Sequence, residues 1–569
     1  MNQPTPAIVT QGAVRRLPRL ALLLFCLAYV VPGFVGREPW KNADIAALGY
    51  MFELAQGHTA WLKPTLLGLA PEFDALMPYW LGGWAMRLAP GWMAADFAAR
   101  IPFVALFALA LLGTWYAVYN LARAPGAQPV AFAFGGEARP TDYARAMADG
   151  GLLALIACLG LAQLSHETTP ALAQLGFTAL AFYGLAGLPY RPLLPACAVG
   201  AGLAGLALSG APSMAMLFGA GGAAIVLLDH PSDALSRGTK WRWAAVVAVL
   251  TMLVAALAWS LGVWRWRLGN VWGETHEWRS AGRLLLWFTW PAWPLALWTL
   301  WRWRRQLTLR HVALPLWFAL VSVAATLLTP SPDRSLLLGL PALATLAAFA
   351  LPTFGRSAAA LIDWFTLLFF TGCAVVIWVV WISLQTGIPA KPAANVARLA
   401  PGFQPSFSLL AFLLALAATL AWGWLVRWRT GRSQVAIWKS LVLPAGGAAL
   451  CWLLLMTLWL PALDYARSYV PLVRSITQRM DAPGCVEALG LSRSQLAALR
   501  FHGGMELRPA GRGATCPWLL VAHDARASLA MMGAPHWKLV AAIPRPTDSN
   551  ENMLLYRRVQ AAASAGPKR

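Results

Sequence analysis

Long apolar segments recur along most of the chain and are separated by short polar loops. Each segment approaches the roughly 20 residues that an α-helix needs to cross a bilayer, and the segments lack the two-residue alternation of a barrel strand. The pattern predicts an all-α polytopic membrane protein with about thirteen transmembrane helices. The predicted spans are 17–35, 99–122, 149–165, 170–188, 193–210, 213–229, 243–263, 284–301, 312–329, 336–352, 361–384, 407–427 and 439–461.

Charge supports this class and gives an orientation. Only 12% of the 569 residues are charged, and the net charge is +22. No nucleic-acid-binding motif accompanies the basic residues, so we expect a lipid bilayer and no nucleic acid as partner. Lysine and arginine cluster before spans 1 and 7 and after spans 8 and 12, which fall on one side of the membrane. That side is predicted to be the cytoplasm, which holds the N-terminus.

The end of the chain has a different composition. Residues 462–569 mix charges, glycines, prolines and short apolar stretches, and about 100 residues suffice for a small domain. We therefore predict a transmembrane domain over residues 1–461 and a small α/β domain on the outer side over 462–569. An oxidising compartment permits a disulfide between Cys485 and Cys516, with two free thiols as the alternative.

The first outer loop, residues 36–98, is predicted to contain two amphipathic helices. Asp44 opens IAALGYMFELA, whose apolar residues recur at helical spacing. The second helix is predicted over 68–87, with Pro78 in its first turn. Asp44 has two interpretations: it caps the first helix, or it acts as a general base whose pKa is raised by desolvation.

Ionisable groups near the outer ends of spans are functional candidates, because burying them at membrane depth is costly. Each of them alone is more typical of a solvated interfacial side chain, and the functional interpretation depends on their convergence at the outer side. The candidates are Lys41, Asp44, Glu72, Asp74, Arg100, His166, Glu167, His276 and Arg334.

Arginines on the outer side are candidate ligands of an anion. Arg265 and Arg267 lie in the outer loop 264–283 and break the charge pattern. Either the topology differs there, or these arginines serve an anionic group such as a lipid phosphate. Arg334 in PSPDRS could hold a phosphate bidentately or form a capping pair with Asp333. His276 near scattered carboxylates is weak evidence for a metal.

Five stretches of the sequence resemble a known family. They are PWKNADIAALGYMFELAQG (39–57), WLKPTLLGL (61–69), DFAARIPFVALFAL (96–109), LSHETTPAL (164–172) and TPSPDRSLLLGLPALATLAA (329–348). Together they resemble the GT-C glycosyltransferases of the protein-mannosyltransferase superfamily, and most closely the bacterial transferases that add aminoarabinose to lipid A. The resemblance implies thirteen membrane helices, two amphipathic periplasmic helices and a periplasmic C-terminal domain in the bacterial inner membrane.

The resemblance also implies a reaction. Such enzymes move a sugar from a polyprenyl monophosphate to a periplasmic acceptor, here lipid A or another envelope glycolipid, glycan or protein. Asp44 occupies the position of the catalytic base, and inversion at the anomeric carbon is expected. Expected donor-phosphate ligands are Lys41, Lys63, Arg265, Arg267 and Arg334. Expected supporting residues are Arg100, Glu72, Asp74, His166 and Glu167, and a divalent metal would use His276 with Glu72 or Asp74.

Two departures keep other functions open. Ile45 follows Asp44 where the family has a glutamate, and the Glu-Lys-Pro motif of the first outer loop is missing. The alternatives are a flippase or transporter of a lipid-linked sugar, and a catalytically degenerate binding subunit. No internal repeat is evident, and the polar candidates gather on one face. Both observations favour an enzyme over a transporter.

Overall fold

A computed structural model describes residues 5–191, 193–228, 237–264, 275–329, 332–431, 436–481, 485–511, 516–526 and 537–559. Over these residues the chain is largely helical. The helices are α1 (Arg19–Val30), α2 (Ala43–Gln56), α3 (Met77–Leu88), α4 (Ala95–Ala122), α5 (Pro140–Ala157), α6 (Leu161–Leu164), α7 (Pro170–Gly187), α8 (Leu193–Leu208), α9 (Pro212–Leu228), α10 (Arg237–Ser260), α11 (Thr275–Phe288), α12 (Ala292–Arg302), α13 (Arg310–Leu328), α14 (Pro332–Leu337), α15 (Leu340–Ala350), α16 (Arg356–Thr386), α17 (Ala390–Leu399), α18 (Leu409–Thr430), α19 (Val442–Leu458), α20 (Leu460–Arg467), α21 (Val470–Thr477) and α22 (Arg493–Gly503).

Several of these helices have the length and composition to cross a membrane. Within the described ranges, six are both long and apolar enough to do so: α4, α10, α13, α16, α18 and α19. Shorter apolar helices lie at Arg19–Gly33, Leu193–Leu208, Pro212–Leu228 and Leu340–Thr353. Every one of the thirteen predicted segments overlaps at least one helix. The chain is therefore an integral membrane protein of the predicted helical class.

The first outer loop contains the two expected short helices, α2 and α3, which pack against each other. The second is shorter than predicted, because it begins only at Met77 and has Pro78 in its first turn. Residues 70–74, which we name the acidic loop, precede it as irregular chain that contains Glu72 and Asp74. Pro71 disfavours helical geometry at Ala70, the residue before it, so the helix cannot begin as early as residue 68.

A five-stranded sheet forms the core of the C-terminal domain. Its strands are β1 (Cys485–Leu489), β2 (Glu506–Pro509), β3 (Trp518–Ala522), β4 (Trp537–Arg545) and β5 (Asp548–Arg558). The order is β2-β1-β3-β5-β4, with β1 parallel to β2 and β3, and β5 antiparallel to β3 and β4. The crossover from β1 to β2 contains α22, as expected for parallel neighbours. Cys485 and Cys516 form a disulfide that joins β1 to the segment before β3.

The C-terminal domain packs directly on the first outer loop. Helix α22 lies against α2, and Arg500 on α22 bonds to Glu53 on α2 through Nε and Oε1 at 2.8 Å. Lys41, just before α2, pairs with Asp548 at the start of β5 at 2.8 Å. The two helices approach closely at Gly49. The domain therefore shares an interface with the part of the chain that contains Asp44.

We expect Gly49→Val to weaken this interface. An added Cβ at Gly49 would lie 2.5 Å from the Cβ of Ala497 and 3.2 Å from its Cα, too close without a shift of α22. Overpacking of this kind costs about 1–3 kcal/mol. Thermal unfolding in detergent should show a lower melting temperature than the wild type. Gly91→Val is the matched control, since nothing lies within 4 Å of a Cβ there, and equal melting temperatures for the two variants would contradict the close contact.

Candidate functional site

A large cavity lies where the first outer loop, the membrane helices and the C-terminal domain meet. Its volume is about 910 Å³, within the range of sites that hold a small ligand or cofactor. It is bounded by α2, the acidic loop, the first turn of α7, helices α9, α13 and α14, and the start of α22. One cavity is thus lined by three regions that are far apart in the sequence.

One wall of the cavity is apolar and belongs to two membrane helices. Helix α9 contributes Met214 and Leu217, and helix α13 contributes Trp317, Leu320 and Ala324. Leu320 is 55% exposed in the absence of lipid. A wall of this kind favours contact with a hydrocarbon chain.

A second part of the cavity lining, the charged wall, carries charges of both signs. Its titratable residues are Tyr50, Glu72, Asp74, Tyr79, Arg334 and Arg493. The guanidinium of Arg334 lies over the ring of Phe73, 4.9 Å from the centroid. Because Arg334 is in α14 and Phe73 is in the acidic loop, this contact joins α14 to the loop with the two carboxylates. The cavity is therefore amphipathic, with an apolar side and a charged side.

Asp44 lies directly behind this cavity. Its neighbours Asn42 and Ala43 line the cavity, whereas Asp44 is 1% exposed. One carboxylate oxygen accepts hydrogen bonds from the backbone N–H and the hydroxyl of Thr168, at 2.8 and 2.6 Å. The other accepts from the backbone N–H of Trp40 at 3.1 Å and forms an ion pair with Arg37 at 2.9 Å. Both oxygens are thus occupied by partners from two loops.

These partners reverse the expected pKa shift of Asp44. Burial alone would raise the pKa, but the charge of Arg37 and the hydrogen bonds from Thr168 and Trp40 hold it below the usual aspartate value. The expectation of a raised pKa is therefore wrong. Sequence reasoning counted the desolvation but not the partners, and Thr168 lies 124 positions away in the sequence.

The backbone at the start of α2 is strained. Asn42 has φ 69° and ψ −117°, a conformation that residues with a side chain rarely adopt and that costs about 1–3 kcal/mol. The surrounding bonds maintain it, since Lys41 N–H donates to the carbonyl of Arg467 at 2.7 Å and Asp44 accepts from Trp40. The strained residue is one that lines the cavity.

Trp40 connects this region to the helix that leads into the C-terminal domain. Its ring lies between the guanidinium groups of Arg37 and Arg467, at 4.6 and 4.9 Å from the centroid. Its indole N–H donates to Asp464 on α20 at 2.8 Å, and Glu38 N–H donates to the other oxygen at 3.3 Å. Burial raises the pKa of Asp464 to about 6, although these two hydrogen bonds oppose the shift.

This shift predicts a pH-dependent stability. The folded protein binds the proton of Asp464 more tightly than the unfolded chain does. Ionisation of Asp464 therefore has no cost to stability below about pH 4, and the cost grows from there to its full size above about pH 6. The cost at neutral pH is up to about 3 kcal/mol. Melting temperatures measured from about pH 4 to 8 should fall less steeply for Asp464→Asn than for the wild type. Parallel curves for the two proteins would show that Asp464 does not titrate in this range.

Lys41, Lys63 and Arg100, which the sequence also singled out, are not among the residues that line the cavity. Lys41 is in the ion pair with Asp548. Lys63 is exposed and is not among the residues that line the cavity. Arg100 on α4 is buried, donates to the carbonyl of Phe34 at 3.1 Å and pairs with Asp96 at 3.0 Å. Of the predicted phosphate ligands in the described part of the chain, Arg334 lines the cavity and the two lysines do not.

His166 and Glu167 lie next to the Asp44 site and are both buried. The His166 ring packs among aromatic rings, including Trp452 at 4.6 Å, and its Nε2 is 3.1 Å from the carbonyl oxygen of Tyr29. Glu167 accepts a hydrogen bond from Gln163 at 3.0 Å. Burial, together with the charge of Asp44, raises the pKa of Glu167. The turn that contains both residues supports Asp44 through Thr168.

A metal site does not emerge from the described residues. Within those ranges no group of three or more histidine, cysteine, aspartate or glutamate side chains is arranged to hold a metal ion. Glu72 and Asp74 both line the cavity, but the side chain of His276 lies outside the described residues. Arg265 and Arg267 also lie outside them. We therefore derive no chemical step through a metal.

Sequence reasoning missed several residues of the site. Thr168 follows the His166–Glu167 pair that was singled out, but nothing local indicates that it contacts Asp44. For Arg493 the sequence does contain one local signal. Ser492 and Gln495 beside it form a capping box, which marks the start of α22. That signal predicts a helix; it does not predict that the helix begins at the cavity.

Comparisons with known proteins agree with the fold. No protein-family model and no curated protein matches the chain. Two crystal structures do, both of ArnT from Cupriavidus metallidurans. The one bound to undecaprenyl phosphate is 15% identical, with a TM-score of 0.61, and the match covers 97% of this chain and all of that one. The apo structure is 15% identical, with a TM-score of 0.58 and coverage of 96% and 99%. At this identity the likeness shows the fold, and it confirms the predicted fold class: the chain shares the fold of the two ArnT structures over nearly its whole length.

Proposed function

We propose that the protein is a membrane glycosyltransferase that takes a sugar from a polyprenyl-phosphate donor. The amphipathic cavity supports this proposal most strongly, because it combines an apolar wall of two membrane helices with a charged wall that contains Arg334. A polyprenyl phosphate has the same division, since its tail needs an apolar surface and its phosphate needs cations. One of the structures with this fold was solved with undecaprenyl phosphate bound.

The charged wall is suited to the leaving group. In the proposed reaction the acceptor oxygen attacks the anomeric carbon with inversion, and the bond from that carbon to the phosphate oxygen breaks. The departing polyprenyl phosphate gains negative charge, which a guanidinium stabilises well. Arg334 lines the cavity and is the residue that we propose for this task.

The role of Asp44 as general base stays a prediction. Its carboxylate is not at the cavity surface, and its lowered pKa makes it a weak base that is ionised throughout the neutral range. Each carboxylate oxygen already has two partners, so one of them has to be displaced before Asp44 can receive the acceptor proton. The acceptor is proposed to be lipid A or another glycan or protein of the bacterial envelope, reached from the outer face of the inner membrane.

A transfer assay tests the proposal. The purified protein in nanodiscs receives a radiolabelled polyprenyl-phosphate sugar together with envelope acceptors. We expect label to appear on an acceptor. Movement of label across the bilayer without transfer would instead identify a transporter, and donor binding with neither would identify a binding subunit. A topology reporter fused after residue 569 should be active only outside the cytoplasm, and activity inside would refute the orientation.

A further inference from the structure

The acidic loop is held at both ends by arginines from different parts of the molecule. At one end the Nε of Arg493, in the C-terminal domain, donates to the carbonyl of Ala70 at 2.8 Å. The hydroxyl of Tyr50 donates to the same carbonyl at 3.1 Å. At the other end Arg334 stacks on Phe73. Glu72 and Asp74, the two acidic residues that line the cavity, lie within or directly beside the segment between these contacts.

The position of Arg493 is itself well fixed. It is the first residue of α22, whose start is stabilised by the reciprocal bonds between Ser492 and Gln495. Ser494 is 7% exposed, and its hydroxyl lies 3.3 Å from that of Tyr469. The helix behind it is bonded to α2 by Arg500 and Glu53. Arg493 therefore extends from a helix start that is held by its cap and by the contacts of α22.

Ser492, Arg493 and Ser494 also line the cavity. The C-terminal domain thus contributes a wall of the site in addition to packing on the loop beneath it. We propose that the C-terminal domain is part of the catalytic site, with Arg493 as the positioning residue that sets the acidic loop and hence the placement of Glu72 and Asp74 in the cavity. As a statement about catalysis this rests on the proposed transferase function, whereas its structural part is tested separately.

Hydrogen–deuterium exchange tests the structural part without any substrate. A hydrogen bond from a charged donor to a carbonyl is worth about a factor of ten or more in local opening. In Arg493→Ala the amides of residues 66–76 should exchange at least about tenfold faster than in the wild type. Arg493→Lys, which keeps a donor and a charge, should restore part of the protection. Unchanged exchange of this segment in Arg493→Ala would overturn the proposal, and so would equally increased exchange across the whole C-terminal domain.

The control is an arginine of the same domain that does not reach the cavity. Arg508 on β2 pairs with Glu506, and both side chains are more than half exposed at 53% and 61%. Arg508→Gln should leave both the exchange of residues 66–76 and the rate of transfer at wild-type values. A comparable change in this variant would show that any loss of charge in the domain suffices, and would overturn the assignment.

Transfer kinetics test the catalytic part. If Arg493 positions groups that act in the reaction, Arg493→Ala should lower kcat by about tenfold or more, with a smaller change in the donor KM, and Arg493→Lys should recover part of kcat. An unchanged kcat would overturn the catalytic part. If the wild type transfers no sugar, the proposed function fails, while the exchange result still decides whether Arg493 sets the loop.

Discussion

Asp44→Asn is expected to abolish sugar transfer, with a loss of at least roughly 100-fold. The same substitution leaves the buried Arg37 without its counter-charge. The side chain of Arg37 is 1% exposed and that of Asp44 is 2% exposed. Removal of one partner of a buried ion pair costs about 3–5 kcal/mol. Because the pKa of Asp44 is lowered, the ion pair stabilises the fold above about pH 4 and loses its effect below it. At neutral pH, Asp44→Asn should therefore have both a lower activity and a lower melting temperature than the wild type.

The double variant Arg37→Met/Asp44→Asn separates these two effects. It removes both charges, so stability should recover in part, because a buried pair replaced by uncharged groups is often tolerated. If Asp44 accepts the proton, transfer should remain abolished. Recovery of transfer together with stability would mean that Asp44 only neutralises Arg37, and the base would then have to be sought among the carboxylates of the cavity wall.

Arg334→Gln is expected to raise the donor KM by about 10–100-fold, because a hydrogen bond to a charged group is worth about 1.5–3 kcal/mol. The donor KM of Arg334→Lys should lie between those of Arg334→Gln and the wild type. Lysine keeps the charge but lacks the planar fork that binds a phosphate through two hydrogen bonds. The melting temperature should change less than in Asp44→Asn, because Arg334 stacks on Phe73 at the cavity surface and is not in a fully buried ion pair.

Lys41, a cation that does not line the cavity, is the control for Arg334. Lys41 was predicted to serve the phosphate as well, but it pairs with Asp548. Lys41→Gln should therefore leave the donor KM within about twofold of the wild type. A large increase in KM for Lys41→Gln, with none for Arg334→Gln, would place the phosphate elsewhere.

The sequence predicted the parts of this molecule that depend on local pattern. Apolar segments of spanning length predicted the membrane helices, and Pro78 indicated where α3 begins. Asp44 stood out because a carboxylate that opens a helix directly after a span is unusual. These features come from residues close together in the chain, and their physical causes are local.

The partners of each site residue were not predictable in the same way. Asp44 is held by Arg37 and by Thr168, and Ala70 is held by Arg493, which lies 423 positions further along the chain. Such contacts depend on how the C-terminal domain packs against the first outer loop, and no periodicity reports that packing. The direction of the pKa shift of Asp44 was wrong for this reason, since it is decided by partners and not by burial alone.

In the proposed complex the donor lies in the cavity with its lipid chain along α9 and α13. In Ala324→Trp the large side chain would occupy the part of the cavity next to the apolar wall. Leu112→Trp is the control, because it places the same side chain at an outward-facing position of α4 that is 57% exposed. The most direct measurement is donor-dependent sugar transfer by these two variants and the wild type in nanodiscs. We expect Ala324→Trp to lose both transfer and donor binding, and Leu112→Trp to keep both. Wild-type transfer by Ala324→Trp would contradict this placement of the donor.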